Sequence, residues 1–288
     1  MMMIMKRMQI GIRSLLFVPA DDEHKLAKAA MSAADAIVLD LEDSVVCDSK
    51  TLARDRAIEF LVQRPADLTV VVRINGADTP WFVDDLAALA GSSAAAVMLP
   101  KATMASLAKL GHPGLPVIAL VETAQGVEEA NLVAADPRVH RLMLGSADLA
   151  AELGIALRAD ETEMHYPRAR LAMASAANEK ESPIDVVHLA LSDPDGLRLS
   201  AQRGKSLGFT GKACIHPAQL TVVNEVFSPT AAEIRDAQEV VKSFTAARTY
   251  GRAVAVSGGR MIDLPVVRQA QRVLELANSI HGKEVRFD

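Results

Sequence analysis

The sequence predicts an α/β protein in which eight parallel strands close into a barrel inside a ring of helices. Three observations predict it: eight short apolar runs recur along the chain, the stretches between them have helical periodicity, and no glycine-rich phosphate turn follows the first run. Near-continuous apolar strands mark a parallel sheet covered on both faces. An open doubly wound sheet needs a phosphate turn that LFVPADDE does not contain.

The first run is RSLLFVP (Arg13 to Pro19), followed by EHKLAKAAMSAAD at helical spacing. AIVLDLE (Ala36 to Glu42) is the second, and TVVVRIN (Thr69 to Asn75) the third, leading into the helical TPWFVDDLAALAG. Then come AAVMLP (Ala95 to Pro100), PVIALVET (Pro116 to Thr123), RLMLGS (Arg141 to Ser146), DVVHLAL (Asp185 to Leu191) and GKACIHP (Gly211 to Pro217). Eight βα units over about 220 residues match a TIM barrel. Beyond them, FSPTAAEIRDAQEVVKSFTAARTYG reads as a helix opened by Ser228-Pro229, RAVAVSGGRMIDLP as a Gly-containing loop, and VVRQAQRVLELANSI as a final helix. Residues 1–226 are thus read as the barrel and 227–288 as a C-terminal helical extension whose loop carries Asp263.

Composition narrows the class. Half of the 288 residues are hydrophobic and only 3% aromatic, so the core is built from Ala, Val, Leu, Ile and Met, which suits close helix-on-sheet layers. A net charge of -5 offers no cationic field for nucleic acid. Cys47 and Cys214 match no zinc or disulfide spacing, and a reduced, cytoplasmic setting is expected. The Met-rich start with Lys6 and Arg7 resembles a signal peptide, but Arg13 interrupts it, and no apolar run is long enough for a membrane span.

In a parallel barrel, residues leaving the C-terminal strand ends converge over one face. Here they are Asp40, Glu42 and Asp43 at strand two, Arg73 and Asn75 at strand three, Lys101 after strand four, then Glu122, Ser146, Asp148 and His216. Charges at buried strand ends are costly unless paired or bound to a ligand. Glu122 and Asp148 read either as a two-carboxylate magnesium site or as rim acids paired with Arg73 or Lys101, and position alone does not separate the two. Arg73 on an apolar strand suits a bidentate grip on a carboxylate, or an ion pair with the acidic triplet of strand two. His216 is a candidate base or an orienting group, His188 a packed or rim histidine, and Arg13, Lys28 and Lys101 candidate phosphate contacts on one face.

The ordered set RSLLFVP, ADAIVLDLEDSV, VVRINGADTPWFVDDL, MLPKA, LVETAQGV, LMLGSADLAAELG, LGFTGKACIHPAQ and GRMIDLPVV resembles the citrate lyase β-subunit-like branch of the HpcH/HpaI aldolase superfamily, which includes malyl-CoA and citramalyl-CoA lyases. The resemblance implies a TIM barrel, trimeric or in hexamers of trimers, with one Mg²⁺ per subunit and a CoA thioester as substrate. By that likeness Glu122 and Asp148 are the metal ligands, Arg73 and Glu122 line the substrate site, and Arg13 and Lys28 lie near the CoA phosphates. Asp263, in the MID segment, is the acid/base, supplied to a neighbouring subunit. Two departures stand out: Ala20 replaces the Gly expected after FVP, and Asn178-Glu179-Lys180-Glu181 replaces a small Gly-containing turn.

The expected reaction is Mg-dependent cleavage or formation of a 3-hydroxyacyl-CoA such as malyl-, citramalyl- or citryl-CoA, giving an acyl-CoA and a 2-oxo acid. Two alternatives stay open. One is a class II pyruvate aldolase acting on free hydroxy-oxo acids, although such enzymes are expected to place a His base where this chain has Asp40, Glu42 and Asp43. The other is a non-autonomous or scaffold subunit of a citrate-lyase-like complex, working with an acyl-carrier partner.

Overall fold

Eight strands, β1 (Ser14–Pro19), β2 (Ala36–Asp40), β3 (Val70–Arg73), β4 (Ala96–Leu99), β5 (Val117–Val121), β6 (Val139–Leu144), β7 (Glu181–Asp185) and β8 (Gly211–Cys214), pair in sequence order. β8 returns to β1 through Ser14↔Lys212, Leu15↔Ala213 and Leu16↔Cys214, closing a parallel TIM barrel. A computed structural model of the chain describes residues 11–251 and 253–284. The Met-rich start with Lys6 and Arg7 lies outside the described residues.

Most of the strand residues are apolar, and the pleat sorts them onto two faces. Leu15, Val38, Val71, Met98, Leu120 and Met143 fill the interior of the barrel. Their neighbours Leu16, Ile37, Leu39, Val70, Val97 and Leu144 point outward and pack against the helices, on residues such as Leu26, Ala57, Leu107, Val133 and Leu171. The side chain of Glu122, just past β5, continues the inward series Ile118, Leu120, and Arg73 continues that of Val71. No helix among the described residues is long and apolar enough to cross a membrane.

Strand seven differs from the expectation. The strand is Glu181–Asp185, and Val186 to Ala190, the more strand-like run, is irregular. Pro183 has no amide to give to the ladder, and the register with β6 shifts there, between the Arg141 and Met143 pairs. The turn before it is made without glycine: Glu179 takes a left-handed φ of 53°.

Behind β7 and β8 lies a buried ionic cluster. Arg168 forks onto Asp185 at 2.7 and 3.1 Å, Lys212 Nζ reaches Asp185 at 3.0 Å and Ser200 Oγ at 2.7 Å, and Arg168 also pairs with Glu161. Burial pushes the Asp185 carboxyl up, but Lys212 and Arg168 together hold it below the usual carboxylate range. Gly204 is required beside it, since a Cβ there would lie 2.6 Å from Asp185 Oδ2.

The chain forms two compact units, one running to Phe227 and the other from Ser228. In the second unit, a helix spans Ala231–Thr249 and is capped by Thr230, not by Ser228-Pro229. Thr230 Oγ1 accepts from the Glu233 amide while Glu233 Oε2 accepts from the Thr230 amide, a reciprocal capping box. The predicted loop contains a hairpin, Ala255–Ser257 against Arg260–Ile262, turned by Gly258 and Gly259 at φ 55° and 73°. The last helix is Leu264–Glu284, and the unit's own core is Ala237, Val240, Phe244, Ala255, Ile262, Val267 and Ala270.

Candidate active site

The barrel's C-terminal mouth opens into a cavity of about 350 Å³ lined by Phe17, Leu120, Met143, Val187 and Ile215 on its apolar side and by Asp40, Asp43, Arg73, Glu122, Ser146 and Asp148 on its polar side. Five carboxyls, those of Asp40, Glu42, Asp43, Glu122 and Asp148, face two bases, Arg73 and Lys101. The mouth is therefore short of positive charge.

Arg73, the last residue of β3, spends its fork on Asp40, the last residue of β2: Nε and Nη2 each donate to one Asp40 oxygen at 2.7 Å. Its Nη1 stands 3.1 Å from Glu42 Oε2 and 3.4 Å from Asp43 Oδ2, and its guanidinium lies over the Phe17 ring at 5.2 Å. Burial opposes the charge on Arg73, but the three acids hold it more firmly protonated than a free guanidinium. Burial likewise pushes Asp40 up, and the hydrogen bonds from Arg73, with Ser44 and the Glu42 amide, bring it below the usual carboxylate range. The arrangement is the ion pair rather than an open fork, with Nη1 shared between Glu42 and Asp43.

The acidic loop after β2 is held from behind by a residue that sequence reasoning missed. Lys50 is buried and donates from Nζ to the carbonyls of Leu41 and Glu42 at 2.8 and 2.6 Å, with Trp81 stacked on its ammonium at 5.4 Å. Nothing in DSVVCDSK marks that lysine, whose role depends on the loop folding back over it. Phe17 did leave a signal, since the alternation Leu15, Phe17 puts it inside the barrel.

Glu122 is 4% exposed, and burial first, then the neighbouring Glu42 charge, pushes its carboxyl up to about 8. Its Oε1 accepts from the Lys101 amide at 2.9 Å. Gly145 makes room for it: a Cβ there would sit 2.7 Å from both Glu122 Cβ and Oε2. Asp148 lies on the first turn of the helix Ala147–Leu153, and its buried Oδ2 accepts no hydrogen bond. Two convergent hard-oxygen donors, one orphaned and one strained toward protonation, fit a magnesium ion whose other positions hold water and substrate oxygens. Among the described residues no group of three or more His, Cys, Asp or Glu is placed to hold an ion.

Asn75 turns away from the cavity and donates from its amide and side chain to Asp85 at 2.9 and 2.7 Å. His216 is exposed and accepts at Nδ1 from the Ala218 amide at 3.1 Å, which makes it the cap of a short turn. His188 Nε2 stands 3.7 Å from Asp193. The single face expected for Arg13, Lys28 and Lys101 is corrected. Arg13 precedes β1 at the opposite end of the barrel, where Asp35 takes its fork at 2.8 and 3.1 Å, and Lys28 is exposed on the last turn of the helix Glu23–Ala30, which runs away from the mouth. Asp263 lies in the second unit and caps the last helix, its Oδ1 accepting from the Val266 amide at 3.2 Å.

Comparison with known proteins matches residues 13–110 and 111–217 to the model of the HpcH/HpaI aldolase/citrate lyase family. A (3S)-malyl-CoA thioesterase of Cereibacter sphaeroides is 39% identical over 273 residues, covering 93% of this chain and 95% of its own. An L-malyl-CoA/beta-methylmalyl-CoA lyase of the same species is 32% identical, covering 93% and 95%. Among solved structures, protein CitE of Mycobacterium tuberculosis in complex with magnesium, acetoacetate and coenzyme A is similar with a TM-score of 0.78 at 36% identity, covering 94% of this chain and 99% of the other.

Proposed function

The chain belongs to the HpcH/HpaI aldolase/citrate lyase family, and from that premise we propose that it is a Mg²⁺-dependent carbon-carbon lyase. Its substrate is a 3-hydroxyacyl-CoA with a second carboxylate, such as malyl-, citramalyl- or citryl-CoA, cleaved to an acyl-CoA and a 2-oxo acid or formed from them. The observation that carries the reading is the deficit of positive charge at the barrel mouth, where Glu122 is pushed up to about 8 and the Asp148 Oδ2 has no hydrogen bond.

Glu122 and Asp148 would hold the metal, which would supply Lewis acidity toward the substrate's hydroxyl and carboxylate oxygens. Arg73, fixed by Asp40, offers Nη1 to the substrate carboxylate or to the negative charge that develops on the thioester enolate. Asp263 of a neighbouring copy protonates the enolate carbon, and removes that proton in the condensing direction. Phe17, Leu120 and Met143 give the site an apolar wall. A trimeric or hexameric assembly supports such sharing, and a CoA contact for Arg13 and Lys28 rests on the family resemblance alone.

A second reading, hydrolysis of the thioester, is favoured by the 39% identity with a malyl-CoA thioesterase. Incubation with Mg²⁺ and malyl-, citramalyl- and citryl-CoA, with and without an acyl-carrier protein, and product identification by mass spectrometry separates the two. Acetyl-CoA with a 2-oxo acid supports the lyase; free CoA with the intact hydroxy acid supports hydrolysis. No consumption of any ester overturns both.

A further inference from the structure

One residue touches three of the five carboxyls at the mouth. The Lys101 amide donates to Glu122 Oε1 at 2.9 Å, its ammonium donates to Glu42 Oε1 at 2.8 Å, and the same ammonium stands 3.4 Å from Asp148 Oδ2. To reach them the backbone adopts φ 48°, a left-handed conformation unfavourable for a lysine. Such strain persists only where the surroundings over-determine it.

The two contacts of the ammonium differ in kind. Glu42 receives a close hydrogen bond, whereas Asp148 Oδ2 receives charge without a bond and is otherwise orphaned. A dication bound by Asp148 would repel the neighbouring ammonium. The lysine also has an exit: its side chain is 46% exposed, while Glu42 remains as an anchor at 8%.

We infer that Lys101 is a resident cation of the metal site: it neutralises Asp148 while the site is metal-free, and it withdraws toward Glu42 and solvent when Mg²⁺ arrives. It is a positioning residue that sets metal affinity by competition. The inference rests on the reading of Glu122 and Asp148 as the metal ligands.

Titration of the full-length protein with Mg²⁺ alone, by calorimetry, tests it without any turnover assay. Lys101→Gly accepts the left-handed backbone without strain, and Lys101→Met keeps the length of the side chain without its charge. Both are expected to bind Mg²⁺ on the order of tenfold more tightly than the wild type, with Lys101→Arg close to wild type. Lys101→Met is also expected to melt at a lower temperature in EDTA and to regain the difference in Mg²⁺. Merely structural damage loosens metal binding, so unchanged or weaker binding by Lys101→Gly overturns the inference. Asp148→Asn separates the two layers. If the wild type binds no Mg²⁺, or Asp148→Asn binds it equally well, the metal reading falls and the inference with it. If Asp148→Asn loses binding and neither neutral variant gains, the inference alone falls.

Discussion

The carboxylate of Glu122 occupies the space a side chain at Gly145 would need, 2.7 Å from the ideal Cβ position. The glycine is needed for its lack of a Cβ, since its φ is not in the left-handed region. Gly145→Ala therefore moves Glu122 or the turn after β6. The expected outcome is a Mg²⁺ affinity lower by about tenfold or more, the usual effect of disturbing a residue behind a metal ligand. Calorimetric titration checks it, and an unchanged affinity would count against Glu122 as a ligand of the ion.

The raised Glu122 carboxyl makes the metal-free protein sensitive to pH. A group whose folded pKa lies above its unfolded value contributes stability at low pH that is lost as pH rises, here from about 4.5 to about 8. Glu122→Gln removes that loss. In EDTA the variant is expected to match the wild type near pH 5 and to melt several degrees higher at pH 8. Mg²⁺ should raise the wild-type melting temperature at pH 8 and leave the variant's unmoved.

The observed cap and the proposed acid/base role of Asp263 can be separated by substitution. Asp263 caps the helix Leu264–Glu284, so Asp263→Ala loses a cap worth about 1 kcal/mol as well as a carboxylate. Asp263→Ser and Asp263→Asn keep the cap. All three are expected to lose most turnover and keep Mg²⁺ binding, but only the alanine variant should melt lower. Turnover retained in the serine variant would remove Asp263 from the chemistry.

Arg73→Lys keeps the charge and loses the fork. A lysine lacks the planar fork that grips both Asp40 oxygens in parallel while a third nitrogen meets Glu42 and Asp43. Turnover is expected to fall by about 100-fold or more while Mg²⁺ binding is retained. A steady-state comparison with Asp40→Asn, which leaves the guanidinium unheld, tells whether orientation or contact is lost.

The barrel was legible because apolar runs recur along the chain at the spacing of βα units, and the polar residues at or just past their ends converge by topology alone. Strand seven is the exception for a local reason: Glu181-Ser182-Pro183 looks unlike a strand, while Val186-Val187 looks like one, and pairing with β6 and β8 decided the matter. In the site, sequence position brought out Arg73, Glu122 and Asp148, and the Arg73–Asp40 pair stood among the readings. It could not bring out Lys50 beneath the acidic loop, the unusual backbone of Lys101 or the space at Gly145. Each of those depends on what another strand delivers to the same point.

The cylinder has a seam. β1 and β2 share five register pairs, but β7 and β8 share only two, Ile184↔Gly211 and Asp185↔Lys212, and the second of these is backed by ions instead of hydrocarbon. Because Asp185 is held below the usual carboxylate range, its contribution is present at neutral pH and vanishes as acid protonates it. In acid this edge is therefore expected to loosen first, with the amides of β7 and β8 exchanging with solvent ahead of those in β1 and β2.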